Sequence, residues 1–282
     1  MDTIGVIGAG VMGCGVAQSF AQLGYSVILI DISESILDKA KEEIYKNVRL
    51  QGFFNKSENL LDPEVVLSKI HFSTDYKLLE NVNFIIENVT EKWEIKEEVY
   101  KKIDSICKDN CIFLVNTSCI SITKVAALTK RPSQVLGAHF MNPVPIKSTV
   151  EVIRGYHTSN STIDAIRDLL KTIGKEIIVV NDYPGFVSNR ISHLFMNEAA
   201  FVVQDQVSSA EEVDNIFKKC YSHKMGPLET ADLIGLDTVV HSLDVLYQTY
   251  QDSKFRCCPL LRKMVEAGLL GRKSGKGFYS YQ

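Results

Sequence analysis

A chain of 282 residues with 45% hydrophobic and 23% charged side chains, 17 Gly and 7 Pro has the composition of a globular protein of about two domains. Fibrous, low-complexity and mainly disordered chains are thereby excluded. Lys plus Arg number 31 against 34 Asp plus Glu, a formal net charge of −3 that gives no reason to expect nucleic acid as a partner.

In chain order, residues 3–7 and 26–30 are short β-branched runs, and residues 11–23 between them read as a helix ended by Gly24. A long amphipathic helix over 33–50 follows, then a Gly/Asn/Ser-containing turn. A shorter helix begins near Asp62 and Pro63, since Pro suits a first helical turn. Apolar runs at 83–86, 112–115, 135–138, 150–153 and 177–180 are separated in part by helical patterns at 91–107, 122–128 and 162–173. Such alternation predicts a predominantly parallel sheet covered on both faces. Beyond Tyr183 it stops, and apolar positions recur at helical spacing with breaks around Ser208, Gly226 and Gly235. The expected division is therefore an α/β domain over 1–183 and an all-helical domain over 184–282.

Seven cysteines without repeated spacing predict free thiols in a reduced, cytoplasmic setting. Neither a secretion signal nor an apolar run of about 18 residues is evident, so no membrane association is expected.

Gly8-Ala9-Gly10-Val11-Met12-Gly13 follows the first strand and opens the first helix. In this arrangement Gly8 permits a tight turn, Gly10 clears a path for a pyrophosphate, and Gly13 lets helix and strand approach. The helix N-terminus at Val11 and Met12 adds donors and a favourable field for phosphate oxygens. Asp31, at the end of the second strand, is placed to accept hydrogen bonds from an adenosine ribose and to repel a 2′-phosphate. The combination predicts a dinucleotide site that prefers NAD to NADP.

Hydride transfer from an alcohol to NAD needs a group to take the hydroxyl proton and donors to hold the oxygen. His139, at the end of an apolar run, is the candidate base, with a structural histidine as the alternative. Glu151 lies 12 residues on in the next extended segment and can orient the imidazole if the two strands are neighbours. Asn116, Thr117, Ser118 and Asn142 follow predicted strands, where open α/β sheets place ligands, although these residue types also cap turns. Glu87 and Glu91 are either ligands or helix-start acids. Asn189, in the first helix after the boundary, is a candidate donor to the substrate oxygen. The remaining histidines form no ligand spacing with acids or cysteines, and no metal is expected.

Together the segments IGVIGAGVMGCGVAQSFAQLGYSVILID, IIENVTEKWEIKEEVY, VNTSCISIT, GAHFMNPVP with VEVI, PGFVSNRI with MNEA, and GRKSGKGFY resemble the NAD-dependent L-3-hydroxyacyl-CoA dehydrogenase family over nearly the whole chain. The resemblance implies a Rossmann-like NAD-binding domain and a helical substrate and dimerisation domain forming a homodimer. It assigns a His139–Glu151 catalytic pair, with substrate-oriented donors at Ser118 and Asn189. For NAD it implies Gly8, Gly10, Val11, Met12, Gly13, Asp31, Glu91, Lys96, Ser118 and Asn142, with a contribution from Lys273. His139 would take the 3-hydroxyl proton as hydride leaves C3.

Two departures concern the acyl carrier. Where the family has a Met-Lys-Leu run before VEVI, this chain reads Ile146-Lys147-Ser148-Thr149. Its helical arm, lysine-rich elsewhere in the family, reads Leu50-Gln51-Gly52-Phe53-Phe54-Asn55-Lys56. Fewer lysines mean fewer charge-assisted phosphate contacts. Lys56 and the basic residues of 39–46 are candidates for the CoA phosphates or a solvated helix face. The thioester partner is thus either a short-chain acyl-CoA or an acyl carrier protein, the latter as in dehydrogenases of polyketide extender-unit pathways that oxidise glyceryl-type groups. A beta-hydroxyacid dehydrogenase and a non-catalytic NAD-binding sensor or structural protein are the alternatives outside the family.

Overall fold

The computed structural model describes residues 2–54 and 62–281. Lys56 therefore lies outside the described residues. By contact density the chain divides into two compact units, Met1–Asp182 and Tyr183–Gln282.

The first unit opens with β1 (Thr3–Ile7), α1 (Val11–Ala21) and β2 (Ser26–Ile30), a β-α-β unit whose strands pair in parallel. Next come α2 (Glu34–Phe54), α3 (Pro63–Leu67), β3 (Ile70–Ser73), β4 (Phe84–Glu87), α4 (Trp93–Ile106), β5 (Ile112–Val115) and α5 (Ile122–Ala126). The unit closes with β6 (Val135–Phe140), β7 (Thr149–Arg154), α6 (Asn160–Thr172) and β8 (Glu176–Asn181). The sheet order is β3-β2-β1-β4-β5-β6-β7-β8. Helical crossovers keep the first six strands parallel, whereas the helix-free connection from β6 to β7 lets the chain turn back antiparallel. The sheet interior reads as continuous apolar runs, with Val6, Leu29, Ile86, Leu114, Leu136 and Val152 buried under the flanking helices.

Several boundaries differ from the sequence expectation, each for a tertiary reason. β3 lies at the sheet edge and buries only Ile70 of its four residues, so its run carries little apolar signal. β6 extends past Ala138 to Phe140 because its ladder with β7 continues, which places His139 inside the strand. The helix expected from Glu91 starts at Trp93, because Glu91 is engaged with the loop after β5. Local signals do fix other ends: Asp62 caps α3 by accepting from Glu64 N, and Ser159 caps α6 by accepting from Thr162 N.

The second unit is helical: α7 (Ser188–Gln204), α8 (Ala210–Cys220), α9 (Pro227–Ile234), α10 (Leu236–Tyr250) and α11 (Pro259–Glu266). Met196, Ala200, Leu228, Leu236, Leu243 and Leu261 are central to its core. Ser209 and Glu212 form a capping box at the start of α8. The fully buried Asp232 accepts from Phe278 N, Tyr279 N and the Tyr281 hydroxyl, and so fastens the C-terminal segment onto α9. A Cβ on Gly277 would fall 2.0 Å from the Asp232 carboxylate, which explains a glycine in the GRKSGKGFY segment. No helix among the described residues is long and apolar enough to cross a membrane.

Candidate active site

The glycine turn is built by close backbone approach. Gly8 adopts φ +91 and donates its amide to Ile30 O, and a Cβ there would lie 2.7 Å from Asn88 O. A Cβ on Gly13 would fall 1.7 Å from Gly8 O, so α1 and the turn pack with no room for a side chain. Gly10, by contrast, faces open space, since a Cβ there would meet nothing within 4 Å. No side chain caps the α1 N-terminus, leaving the amides behind Val11 and Met12 available to an anion. Asp31 Oδ2 accepts from Ala9 N at 2.6 Å and Oδ1 from Ile32 N at 2.7 Å. The carboxylate thus ties β2 to the turn while each oxygen retains a lone pair for another donor. An uncapped helix start, an unobstructed glycine and a half-buried acceptor fit the pyrophosphate and ribose of NAD.

His139 and Glu151 are direct register partners across β6 and β7. His139 Nδ1 lies 3.0 Å from Glu151 Oε2, and both residues are only 8% exposed. A carboxylate is an acceptor, so Nδ1 carries a proton, and in the neutral imidazole Nε2 then presents its lone pair. Ser118 Oγ lies 3.3 Å from that Nε2. The three side chains form a chain of hydrogen bonds from the Glu151 carboxylate through the imidazole to the Ser118 hydroxyl, with Nε2 the ring nitrogen able to accept a proton. Among the described residues no group of His, Cys, Asp and Glu could hold a metal ion.

Glu91 shapes the loop that carries Ser118. Its Oε1 accepts from Ser118 N at 2.9 Å, from Cys119 N at 3.0 Å and from the Thr117 hydroxyl. Beneath this loop Lys96 is fully buried. Its Nζ donates to both oxygens of Glu87 at 2.8 Å and to Asn116 O at 3.0 Å, and stands 3.8 Å from Glu91 Oε2. Burial pushes the Glu87 carboxyl above its usual range, and the Lys96 ammonium opposes that shift. Asn116 Nδ2 donates to Asn88 Oδ1 at 2.7 Å, which links the ends of β4 and β5. Asn88 and Asp182 carry no local sequence signal of these contacts, each standing just past a strand as an ordinary polar residue. Asp182 accepts from Ser121 Oγ and Thr123 N, anchoring α5 to the end of β8.

Asn142 is exposed three residues beyond His139, in the loop into β7. It borders a cavity of about 940 Å³ in the first unit, walled by Val11, Leu23, Leu50, Pro143, Val144 and Ile146 with Asn47 and Gln51 among the polar lining. On the exposed face of α2, Lys41 pairs with Asp38 and Lys46 with Glu42 of the same helix. Asn189 and Lys273 belong to the second unit. Asn189 lies in the first turn of α7, where its carbonyl accepts from His193 Nδ1, and Lys273 Nζ pairs with Asp237.

The family described as 3-hydroxyacyl-CoA dehydrogenase, NAD binding domain, matches residues 3–183, and its C-terminal domain matches residues 185–281. A probable 3-hydroxybutyryl-CoA dehydrogenase of Deinococcus radiodurans is 46% identical over 98% of this chain and 99% of its own length. The 3-hydroxybutyryl-CoA dehydrogenase of Clostridioides difficile is 42% identical over 99% of each. Among solved structures, (S)-3-hydroxybutyryl-CoA dehydrogenase from Ralstonia eutropha has a TM-score of 0.95 at 41% identity, covering 100% of this chain and 99% of that one. Likeness of this depth over both units, on a chain with a glycine turn open to a dinucleotide and a buried His–Glu pair, makes the protein an NAD-dependent dehydrogenase of the 3-hydroxyacyl-CoA dehydrogenase family.

Proposed function

We propose that the protein interconverts a short-chain L-3-hydroxyacyl-CoA and its 3-oxo form, with His139 as general base and acid. The carrying observation is the chain Glu151 Oε2, His139 Nδ1, His139 Nε2, Ser118 Oγ. Bound NAD supplies the two-electron acceptor for the hydride that leaves C3. The proton of the 3-hydroxyl passes to His139 Nε2, and the imidazolium so formed faces the Glu151 carboxylate, which stabilises its charge. Ser118, and Asn189 from the helical unit, donate to the substrate oxygen as its bond order changes. In reduction His139 returns the proton to the same oxygen.

Asp31, Glu91, Asn142 and Lys273 serve the dinucleotide in this reading, together with Gly8, Gly10, Val11, Met12 and Gly13, while the fully buried Lys96 acts on it only through the Glu87, Glu91 and Asn116 it holds in place. Asp31 gives preference for NAD over NADP. The 940 Å³ cavity takes the thioester's pantetheine arm, whose mixed polarity suits its apolar walls and amide lining. Exposed Ile191, Ile216 and Tyr221 on the helical unit support a homodimer. Seven free thiols support a reducing, cytoplasmic setting.

The test follows NADH oxidation by purified enzyme with acetoacetyl-CoA, and NAD reduction with 3-hydroxybutyryl-CoA and with glyceryl groups on an acyl carrier protein. Rapid turnover of the CoA substrates is expected. Turnover confined to the carrier-bound group would replace the CoA reading, and none with any of them would overturn the thioester assignment.

A further inference from the structure

Lys175 is 6% exposed, and no carboxylate pairs with it among the described residues. Its Nζ donates instead to two main-chain carbonyls of the loop between β6 and β7, Val144 O at 2.7 Å and Lys147 O at 2.8 Å. A buried cation is expensive unless its donors are satisfied, so a lysine spent on two carbonyls calls for a reason. Burial also pulls its pKa below the ordinary lysine value.

The reason lies in what the loop carries. It joins the strand of His139 to the strand of Glu151, carries Asn142, and supplies Pro143, Val144, Pro145 and Ile146 to the wall of the large cavity. Its own backbone bonds are few: Ile146 N and Lys147 N both return to Pro143 O, a single turn. On one side Val144 is wedged against α1, where a Cβ on Gly15 would fall 2.9 Å from the Val144 Cβ. On the other, Glu176 N donates to Ser148 O at 2.7 Å, so the chain beside Lys175 is itself laced to the loop's end. The ammonium bridges the remaining gap by gripping carbonyls on both sides of the turn.

We propose that Lys175 is a positioning residue, the clamp that sets the loop 142–147 as the wall against which the thioester arm lies. The inference rests on the assignment of that cavity to the arm. Lys175 touches neither His139 nor Glu151 and acts on the substrate only through the loop. Its loss therefore weakens the grip on the thioester while leaving the proton transfer intact.

Two variants separate this from a merely structural role. Lys175→Met keeps the length and removes the donors, and Lys175→Arg keeps donors able to reach two carbonyls. With NADH saturating, Lys175→Met should raise KM for acetoacetyl-CoA about tenfold, the loss of one charge-assisted contact's worth of order, with kcat nearly unchanged. Lys175→Arg should recover much of that loss. Hydrogen exchange on the substrate-free enzyme should show the Ile146 and Lys147 amides protected in the parent protein and fast in Lys175→Met, with the β6–β7 ladder unchanged. A fall in active fraction without a change in KM, or a rise in KM for NADH instead, would overturn the proposal. Exchange needs no turnover, so fast exchange at these amides in the parent protein would refute the clamp even if Lys175→Met failed to fold. The clamp likewise remains testable if acetoacetyl-CoA proves not to be a substrate.

Discussion

Glu151 stands directly opposite His139 in the antiparallel β6–β7 pair, its Oε2 3.0 Å from the imidazole Nδ1. A ladder partner, unlike a residue on a loop, keeps that distance through backbone hydrogen bonds rather than through side-chain packing alone. Glu151→Gln should retain the geometry but remove the charge that stabilises the imidazolium. General acid–base catalysis contributes about 10²–10⁴-fold, and the expected fall in kcat is at the lower end of that range. Stopped-flow turnover with acetoacetyl-CoA, beside an NADH titration showing unchanged affinity, checks this. An unchanged kcat would remove Glu151 from the mechanism.

Asp31 holds Ala9 N and, in the function proposed, offers its remaining lone pairs to a ribose. Asp31→Ser removes a charged acceptor, and hydrogen bonds to charged groups contribute about 1.5–3 kcal/mol, which predicts NADH binding weaker by about ten- to a hundredfold. Binding of NADPH should weaken less, because the repulsion of a 2′-phosphate goes with the charge. Fluorescence titration with both cofactors gives the ratio, and an unaltered ratio would refute the specificity role.

The thiols should separate by burial. Cys14 is pushed up to about 12, chiefly by burial and also by the charges of Glu43 and Asp31, and burial likewise raises Cys257 to about 11. A raised pKa keeps the thiol protonated until the pH approaches it, so at pH 8 the thiolate fraction at Cys14 is on the order of 10⁻⁴. Cys220 is exposed. Brief alkylation at pH 8 followed by peptide mapping should find Cys220 modified well before Cys14 or Cys257, with the buried pair gaining reactivity only as the pH rises. The reverse order would contradict this packing.

The opening β-α-β unit was legible because two β-branched runs, a glycine turn and a helix stop all agree locally. The breaks before α8, α9 and α10 were legible for the same reason: Ser208 precedes a capping box, and Gly226 and Gly235 stand at helix starts. His139 and Glu151 could be picked out by chemistry, yet their contact depended on strand order, which neighbouring residues do not encode. Glu87 and Lys96 illustrate the limit. Charge at a strand end and on a helix reads as solvated, and only the convergence of β4, α4 and the loop after β5 buries both completely. Lys175 is silent for a similar reason, since its two acceptors are main-chain carbonyls about thirty residues away.

Because β7 runs back beside β6, the acid–base pair is fixed by the ladder and the connection between the strands is left outside it. The chemistry and the shape of the pocket are therefore written in separable stretches of chain. Residues 143–148 can change in sequence to suit a different acyl carrier while Asn142 keeps its place and His139 and Glu151 stay in register. A change in this loop therefore reshapes one wall of the cavity without moving the His139–Glu151 pair.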